Sequence, residues 1–509
     1  MEVSSSSNSM EGIEGFQGSS NAMKVIQDSY DLGYNRMLSS IGPMSHSFLI
    51  EESIEPSPSE CEAYEKYLNL SELAANWKSK EWLDWPSELL IKPALQSLEM
   101  TFRLISSTLC DTRPYIEKGE WKRRLESLTG SQLELISMLC EGDKDAPIVQ
   151  LSVSDGVLAT KVAQEVWQRP GALPVVSRIS EESLLPRLGT WKRAEHMVSR
   201  IWLAIECHMQ RAPFTLGLGE PNLSGKPILE YDKICKPSYL YSFKQSTQFH
   251  NAEDHTLRTV HQIFEAWLFI GQLLLKRIHQ RIDCGDSVGA SKDCWMIERI
   301  WKLLTDIQNM FLLVDPDDFL RLKHQLSINM DSGTTSNSAY CLKSTALRSL
   351  TDACKELRHL LPNVMGVEAD PKGGPRLQEA VMHLFHSHRL PRREIPDATS
   401  CALHYGTIHL LLAFQAIEGA VKRFFFSYQQ LVILVMGSVE MNGAACLGAS
   451  DPLTQIYSEP PYFPSVDGAK TFLSDYWYHS PITMIEGLQK PVGKTDKASR
   501  RLALQSAIP

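Results

Sequence analysis

Apolar side chains recur at three- and four-residue spacing along most of the chain, the period of an α-helix that buries one face. Alternating runs of Val, Ile and Thr bounded by turn residues, which are typical of strands, are scarce. The helical spacing is clearest at Val260, Ile263, Phe264, Trp267, Ile270, Leu274 and Ile278. No self-similar repeat of a few tens of residues is visible. The pattern predicts an all-α, multi-helix bundle.

Apolar density divides the chain into four regions. Residues 1–60 contain serine runs and few large apolar side chains, so we expect a disordered N-terminal arm. The helical pattern predicts an N-terminal helical region at 61–212 and a C-terminal helical region at 213–480. Residues 481–509 carry basic residues and few large apolar ones, which predicts a flexible tail.

Proline and glycine mark the expected ends of helices. Breaks rich in these residues fall at 141–180 and 212–250. We expect a loop at 212–250, while the Val- and Leu-bearing stretch 148–167 of the first break fits either a short helix or a strand. Pro86 suits the first turn of a helix, and Asp315 suits the N-cap of a helix that begins at Pro316. Further helices are expected at about 191–209, 294–313, 344–361, 376–387, 407–440 and 466–478.

Composition excludes several classes of partner. The 509 residues include 51 basic and 60 acidic side chains, a net charge of −9, and nucleic acids and anionic membranes require a basic face. No apolar run reaches the roughly 20 residues that cross a bilayer, and the N-terminus lacks the pattern of a secretory signal. Eleven cysteines, an odd number without any Cys-x-x-Cys, indicate reduced thiols in the cytosol or nucleus.

Two strings have the outline of ligand sites but lack essential parts. The string at 219–226 resembles a phosphate loop, yet five residues rather than four separate its glycines, and Pro227 stands where the helix should begin. The His-x-x-His-x-His string at 383–388 has a spacing compatible with metal ligation, but the arginines that follow it would repel a cation. We therefore predict no nucleotide site and no metal site.

A third string, Asp-Pro-Lys-Gly-Gly-Pro-Arg at 370–376, leads into an amphipathic helix. Gly373 and Gly374 allow a backbone to approach a ligand closely, while Lys372 and Arg376 add positive charge. The string fits either a tight loop that needs no ligand or a site for an anionic group.

No catalytic constellation is evident, because serine, histidine and acidic residues are dispersed and no Gly-x-Ser-x-Gly occurs. Lys-Arg-Phe-Phe-Phe at 422–426 has the composition of a surface that stacks RNA bases. Three consecutive aromatic side chains on a helix point in different directions, however, which is typical of a helix buried on most sides. We predict no catalytic residue and place Phe424, Phe425 and Phe426 in the core.

Several uncommon strings stand in one order along the chain. They include Ala-Tyr-Glu-Lys-Tyr-Leu at 63–68, Cys-Asp-Thr-Arg-Pro-Tyr-Ile at 110–116, Thr-Leu-Gly-Leu-Gly-Glu-Pro-Asn-Leu-Ser-Gly-Lys-Pro at 215–227, Asp-Pro-Asp-Asp-Phe-Leu at 315–320 and Tyr-Phe-Pro-Ser at 462–465. In these strings the chain resembles the nematode-resistance-protein-like HSPRO family of plants, over roughly residues 60–480. Two stretches depart from the family: residues 1–60, and residues 387–406, which look like an insertion.

The resemblance implies a non-enzymatic plant defence-signalling protein, cytoplasmic and also nuclear, that promotes resistance to nematodes and bacterial pathogens. It also implies a protein partner, a subunit of the SNF-related energy-sensing kinase complex. No cofactor is expected.

The helical architecture of this family is also similar to that of the indoleamine and tryptophan dioxygenases, whose haem is held by one histidine on a helix. The indoleamine branch has Ser-Tyr-His-Leu there, and the best match here is Ser-Tyr-Gln-Gln-Leu at 427–431. Gln429 would then replace the histidine, and a neutral amide is a poor iron ligand. We expect Gln429 to be buried and hydrogen-bonded to protein or water. The alternatives are a haem-dependent oxygenase that uses His404, His409 or His479, and a small-molecule sensor that keeps the helical pocket.

Overall fold

The computed structural model describes nine stretches of the chain: 58–113, 117–149, 180–220, 226–242, 253–328, 343–368, 375–387, 398–436 and 456–470. Most of the predicted N-terminal arm and all of the predicted tail at 481–509 lie outside these residues. Residues 58–60, expected to end the arm, belong to the first described helix.

Most of the described chain is helical, and the described strands are one pair of two residues each, so the all-α fold class is confirmed. The first half contains α1 (Pro58–Leu68), α2 (Leu70–Lys78), α3 (Glu88–Cys110), α4 (Lys118–Cys140), α5 (Leu184–Leu188), α6 (Glu195–Met209), α7 (Tyr231–Cys235) and α8 (Pro237–Ser242). The second half contains α9 (Asp254–Asp283), α10 (Ser287–Gln308), α11 (Pro316–Ile328), α12 (Thr345–Glu356), α13 (Leu361–Met365), α14 (Pro375–Ser387) and α15 (Ala398–Met436), with 3₁₀ turns at Asn309–Leu313 and Leu357–Leu360. None of the described helices combines the length and apolar character needed to cross a membrane.

Several helix boundaries differ from the expectation. Pro86 lies ahead of α3 rather than in its first turn, since α3 begins at Glu88 with Ser87 as its N-cap. The carboxylate of Glu88 accepts the backbone N–H groups of residues 81 and 82, which precede the helix. Residues 398–406, expected within an insertion, belong to α15. The start signal at Asp315 is confirmed, since its carboxylate accepts the N–H of Asp317 at 3.0 Å in the first turn of α11.

The stretch 212–250 is not a continuous loop. Besides α7 and α8 it contains β2 (Ile228–Leu229), which pairs antiparallel with β1 (Ile148–Val149). Residues 214–220 are buried, and a buried backbone needs hydrogen-bond partners. The carboxylate of Glu220 supplies two of them, accepting the N–H of Gly217 at 2.9 Å and of Leu218 at 2.6 Å. Burial raises the pKa of Glu220, and these N–H groups act in the opposite direction.

Helix α9 packs directly against α3, α10 and α12. On one side α4 packs on α3 and α6 packs on α4; on the other, α15 packs along α10. Helices of the two predicted helical regions, 61–212 and 213–480, therefore meet through α3 and α9. The described residues fall in one compact unit.

Aromatic side chains fill the core where α9, α10 and α15 meet. The ring of Phe424 lies 5.1 Å from that of Trp301 and 6.0 Å from that of Phe264, measured between centroids. Phe424 and Phe425 are in the core as predicted. Phe426 is 50% exposed, so its predicted place in the core is wrong. Successive side chains on a helix point about 100° apart, and this one lies at the margin of the covered side, with its ring edge-on to that of Tyr457.

Candidate functional site

In the glycine–lysine string at 219–226, the side chain of Lys226 stabilises the fold. The ammonium group of Lys226 donates to three backbone carbonyls at 2.7–2.9 Å, those of Met209, Gln210 and Ala212. The last carbonyls of a helix have no partner within the helix, so Lys226 caps the C-terminus of α6. The ammonium group of Lys226 is therefore occupied by backbone carbonyls.

Gln429 lies on the covered side of α15 with 9% of its surface exposed, as expected. Its amide oxygen accepts a hydrogen bond of 2.8 Å from the hydroxyl of Tyr457, whose ring lies edge-on against Phe426. An amide oxygen that a protein hydroxyl already occupies is a poor ligand for iron. The described surroundings of Gln429 therefore do not fit a haem ligand.

The alternative haem ligands are only partly described. His409 is exposed on α15, while the side chain of His404 and all of His479 lie outside the described residues. His383, the first member of the histidine string, is exposed on α14. Within the described stretches, no three His, Cys, Asp or Glu residues are grouped so that they could hold a metal ion.

The candidate anion loop is also only partly described. Lys372, Gly373 and Gly374 lie outside the described residues. Arg376 is exposed in the first turn of α14. The anion-site interpretation of this loop stays a prediction.

A cleft at the junction of α2, α3, α8 and α9 brings together basic side chains from distant parts of the sequence. Arg103 of α3 and His255 and Arg258 of α9 line it. Apolar lining comes from Leu73, Met100 and Leu240. The cleft opens to solvent, and its enclosed part is small. We call it the arginine cleft.

Helix geometry explains why these residues meet. His255, Arg258 and Gln262 are three and four residues apart on α9, so they share one face. The side-chain amide of Gln262 donates to the carbonyl of Leu68, at the end of α1, at 2.9 Å. Asn69 follows with a φ of 55°, a left-handed conformation that asparagine tolerates better than most residues, and α2 begins after it.

The electrostatic environment of the arginine cleft is positive. Burial lowers the pKa of Arg103, and the neighbouring charge of Arg258 lowers it further. Burial and the two guanidinium groups lower the pKa of His255 to about 4, so its ring is neutral at pH 7. One carboxylate lies close: Oδ2 of Asp254 is 3.5 Å from Nη2 of Arg258, and burial raises the pKa of Asp254.

A buried carboxyl group fixes one side of the arginine cleft. Glu99 is fully buried and accepts a hydrogen bond from the hydroxyl of Tyr241, and the guanidinium of Arg103 lies 5.8 Å from the centre of the Tyr241 ring. Three more donors reach the same carboxyl group: the hydroxyl of Ser183 (2.7 Å), the N–H of Leu184 (2.8 Å) and the hydroxyl of Tyr231 (3.0 Å). Glu99 thereby holds α3, α5, α7 and α8 together around the cleft.

No residue of the arginine cleft is among the sequence-predicted site residues. A signal was available on α9, where Arg258, His261, Gln262 and Glu265 interrupt a strongly apolar helix and are all buried. Buried polar side chains need partners, so such a run indicates either a hydrogen-bond network or a site. Which helices supply the partners is set by tertiary packing and is not visible in the spacing.

Two family models cover most of the chain. The model described as Hs1pro-1 N-terminus matches residues 23–206, and the one described as Hs1pro-1 protein C-terminus matches residues 209–479. The chain belongs to the Hs1pro-1 family. The two family models meet at the end of α6. Because the first begins at residue 23, the departure from the family expected over residues 1–60 is wrong from that residue onward.

Two curated relatives agree with this assignment and confirm the resemblance seen in the sequence. Nematode resistance protein-like HSPRO2 of Arabidopsis thaliana is 42% identical over 426 residues, which are 83% of this chain and 89% of the relative. Nematode resistance protein-like HSPRO1 of the same plant is 43% identical over 427 residues, 83% of this chain and 91% of the relative. No solved structure matches this family member. The similarity to the dioxygenase fold thus gains no support.

Proposed function

We propose that this Hs1pro-1 family member is a plant defence protein that promotes resistance to nematodes and bacterial pathogens by binding another protein rather than by catalysis. The observation that carries the proposal is the similarity over 83% of the chain to two proteins named for nematode resistance. The proposed partner is a subunit of the SNF-related kinase complex, and the proposed location is the cytoplasm and the nucleus.

What the described side chains do is consistent with a binding protein. Lys226 caps a helix, Gln429 is hydrogen-bonded to Tyr457, and Glu99 joins helices. Each of these polar groups therefore has a role in the fold that requires no chemistry.

A binding assay tests the partner. The full chain is mixed with each purified subunit of the kinase complex in turn, and we expect one subunit to be retained. Exposed apolar side chains often lie at protein interfaces, so serine substitutions at three of the most exposed ones, Leu83 (84%), Val288 (60%) and Leu434 (71%), serve to map the contact. Failure of every subunit to bind would contradict the kinase proposal.

A resistance assay tests the defence role. Plants that lack the protein and plants that overproduce it are challenged with nematodes and with bacteria, and we expect greater infection in the first than in the second. Equal infection in both would contradict the role.

An absorption spectrum tests the non-enzymatic part of the proposal. We expect the purified chain, mixed with haem and then separated from unbound haem by gel filtration, to show no Soret band at haem stoichiometry. Such a band would favour a haem-dependent oxygenase, and substitutions of His404, His409 and His479 would then identify the ligand.

A further inference from the structure

The guanidinium of Arg258 is buried without its full set of hydrogen bonds. The residue is 6% exposed, and its Nε and Nη2 atoms have no hydrogen-bond partner in the described part of the chain. Asp254 lies 3.5 Å from Nη2, too far for a good hydrogen bond, and the guanidinium is 5.3 Å from the centre of the Tyr67 ring. A buried donor left unpaired is unfavourable, and Nε and Nη2 are the adjacent pair of nitrogens that binds an oxyanion with two parallel hydrogen bonds.

Arg103 provides a second positive charge in the same cleft. It is half-buried, and the charge of Arg258 lowers its pKa. An anion placed near both guanidinium groups would relieve this repulsion. Two carboxyl groups lie nearby: that of Asp254 beside Arg258, and that of Glu99, which accepts the hydroxyl of Tyr241 on the Arg103 side.

The other acidic groups near the start of α9 are engaged elsewhere. Glu253 pairs with Arg113 at 3.2 Å and accepts the N–H of Asp315 at 3.3 Å. Asp318 accepts the N–H of Glu253 at 2.8 Å. Glu253 and Asp318 are therefore engaged outside the arginine cleft.

We propose that the arginine cleft binds a small organic anion through a carboxylate or phosphate group held by Arg103 and Arg258. The planar guanidinium groups match the oxygens of either group, and Leu73, Met100 and Leu240 form an apolar border beside them. The enclosed part of the cleft is small, so only the charged group enters it and the rest of the molecule lies at the open mouth. The proposal is independent of the defence role, and neither depends on the other being right.

Binding is measured with the full chain by titration calorimetry and by thermal unfolding. The probes are inorganic phosphate and hexanoate, each compared with chloride at the same ionic strength. We expect a saturable rise in Tm and a measurable Kd with at least one of them. A response to phosphate identifies a phosphate group, and a response to hexanoate identifies a carboxylate on an apolar chain.

Variants locate the binding. We expect Arg103→Gln and Arg258→Gln each to raise the Kd about tenfold or more. The matched control is Arg299→Gln, which removes the same charge from an exposed ion pair with Glu134 on the outer face of α10 and should leave the Kd unchanged. If Arg258→Gln does not fold, the more exposed Arg103 still provides the test. No saturable response to either probe, or equal responses in all three variants and the wild type, would overturn the proposal.

Discussion

The hydroxyl of Tyr64 donates a hydrogen bond of 2.9 Å to the carboxyl group of Glu265, although the two residues are 201 positions apart. Glu265 is buried on α9, and a second donor reaches it from Ser344, the N-cap of α12. One carboxyl group thus connects α1, α9 and α12. Burial raises its pKa from 4.5 to about 7, and the two hydrogen bonds only partly oppose this.

The raised pKa of Glu265 makes stability depend on pH. The folded state holds a proton on this group up to about pH 7, whereas the unfolded state loses it near 4.5. The contribution to stability is therefore full below pH 4.5, falls as the pH rises, and reaches its minimum above 7, a total change of roughly 3 kcal/mol. Glu265→Gln removes this titration. The unfolding free energy of the variant minus that of wild type should therefore rise by roughly 2–3 kcal/mol from pH 5 to pH 8, measured by urea unfolding.

Comparison of variant with wild type cancels the other titrating groups, including His255 and His261, whose pKa values are lowered to about 4 by burial. The matched control is Glu62→Gln, which makes the same substitution on the exposed side of α1. A difference for Glu265→Gln that is the same at both pH values would show that Glu265 stays ionised in the folded protein.

Lys226 should stabilise the protein through the end of α6. Replacing it with methionine keeps much of the apolar stem but leaves three carbonyls without their shared donor. We expect Lys226→Met to lower the free energy of unfolding by about 2 kcal/mol. Lys233→Met is the control, because Lys233 is 67% exposed in a surface pair with Glu230 and should change stability by less than about 0.5 kcal/mol. Equal losses in the two variants would contradict the capping role.

The helices were predictable because their apolar spacing is a local property. The stripe on α9 and the start of α11 at Asp315 follow directly from neighbouring residues. The arginine cleft was not predictable, since Arg103 and Arg258 meet only after α3 has packed on α9. Likewise, the glycine-rich residues 214–220 have the composition of a surface loop, and only the position of Glu220 allows their backbone to be buried.

A glycine sets how closely α9 and α12 pack. A Cβ atom at Gly271 would lie 3.0 Å from Cδ1 of Leu350 and 3.1 Å from its Cδ2, tighter than normal contact. We expect Gly271→Val to destabilise the protein by about 1–3 kcal/mol in urea unfolding. Gly419→Val is the matched control on α15, where a Cβ meets nothing within 4 Å, and should change stability by less than about 0.5 kcal/mol.

The contact with Leu350 can be tested directly. Adding Leu350→Ala to Gly271→Val opens space for the valine, so the double variant should lose less stability than the sum of the two single losses. Strict additivity would mean that the valine disturbs something other than Leu350.

Glu99 should be the most sensitive of the buried carboxyl groups to loss of its oxygens. Its oxygens accept four hydrogen bonds, from Ser183, Leu184, Tyr231 and Tyr241. Glu99→Leu is close to the same shape but accepts none, and each buried donor left unpaired costs about 1–3 kcal/mol. We expect this variant to lose at least about 4 kcal/mol of unfolding free energy.

Two milder changes separate hydrogen bonding from packing at this position. Tyr241→Phe removes one donor and leaves three, so we expect a loss of about 1 kcal/mol. Glu99→Gln keeps one oxygen acceptor, so its loss of unfolding free energy should lie between those of Tyr241→Phe and Glu99→Leu. In contrast, Glu265→Gln is expected to stabilise the protein at pH 8, because fewer donors surround that carboxyl group. Leu184 donates through a backbone N–H that cannot reverse its role, so the retained oxygen of the amide must face it. A loss for Glu99→Leu no larger than that for Tyr241→Phe would mean that the four donors find other acceptors, and that Glu99 does not hold α5, α7 and α8 against α3.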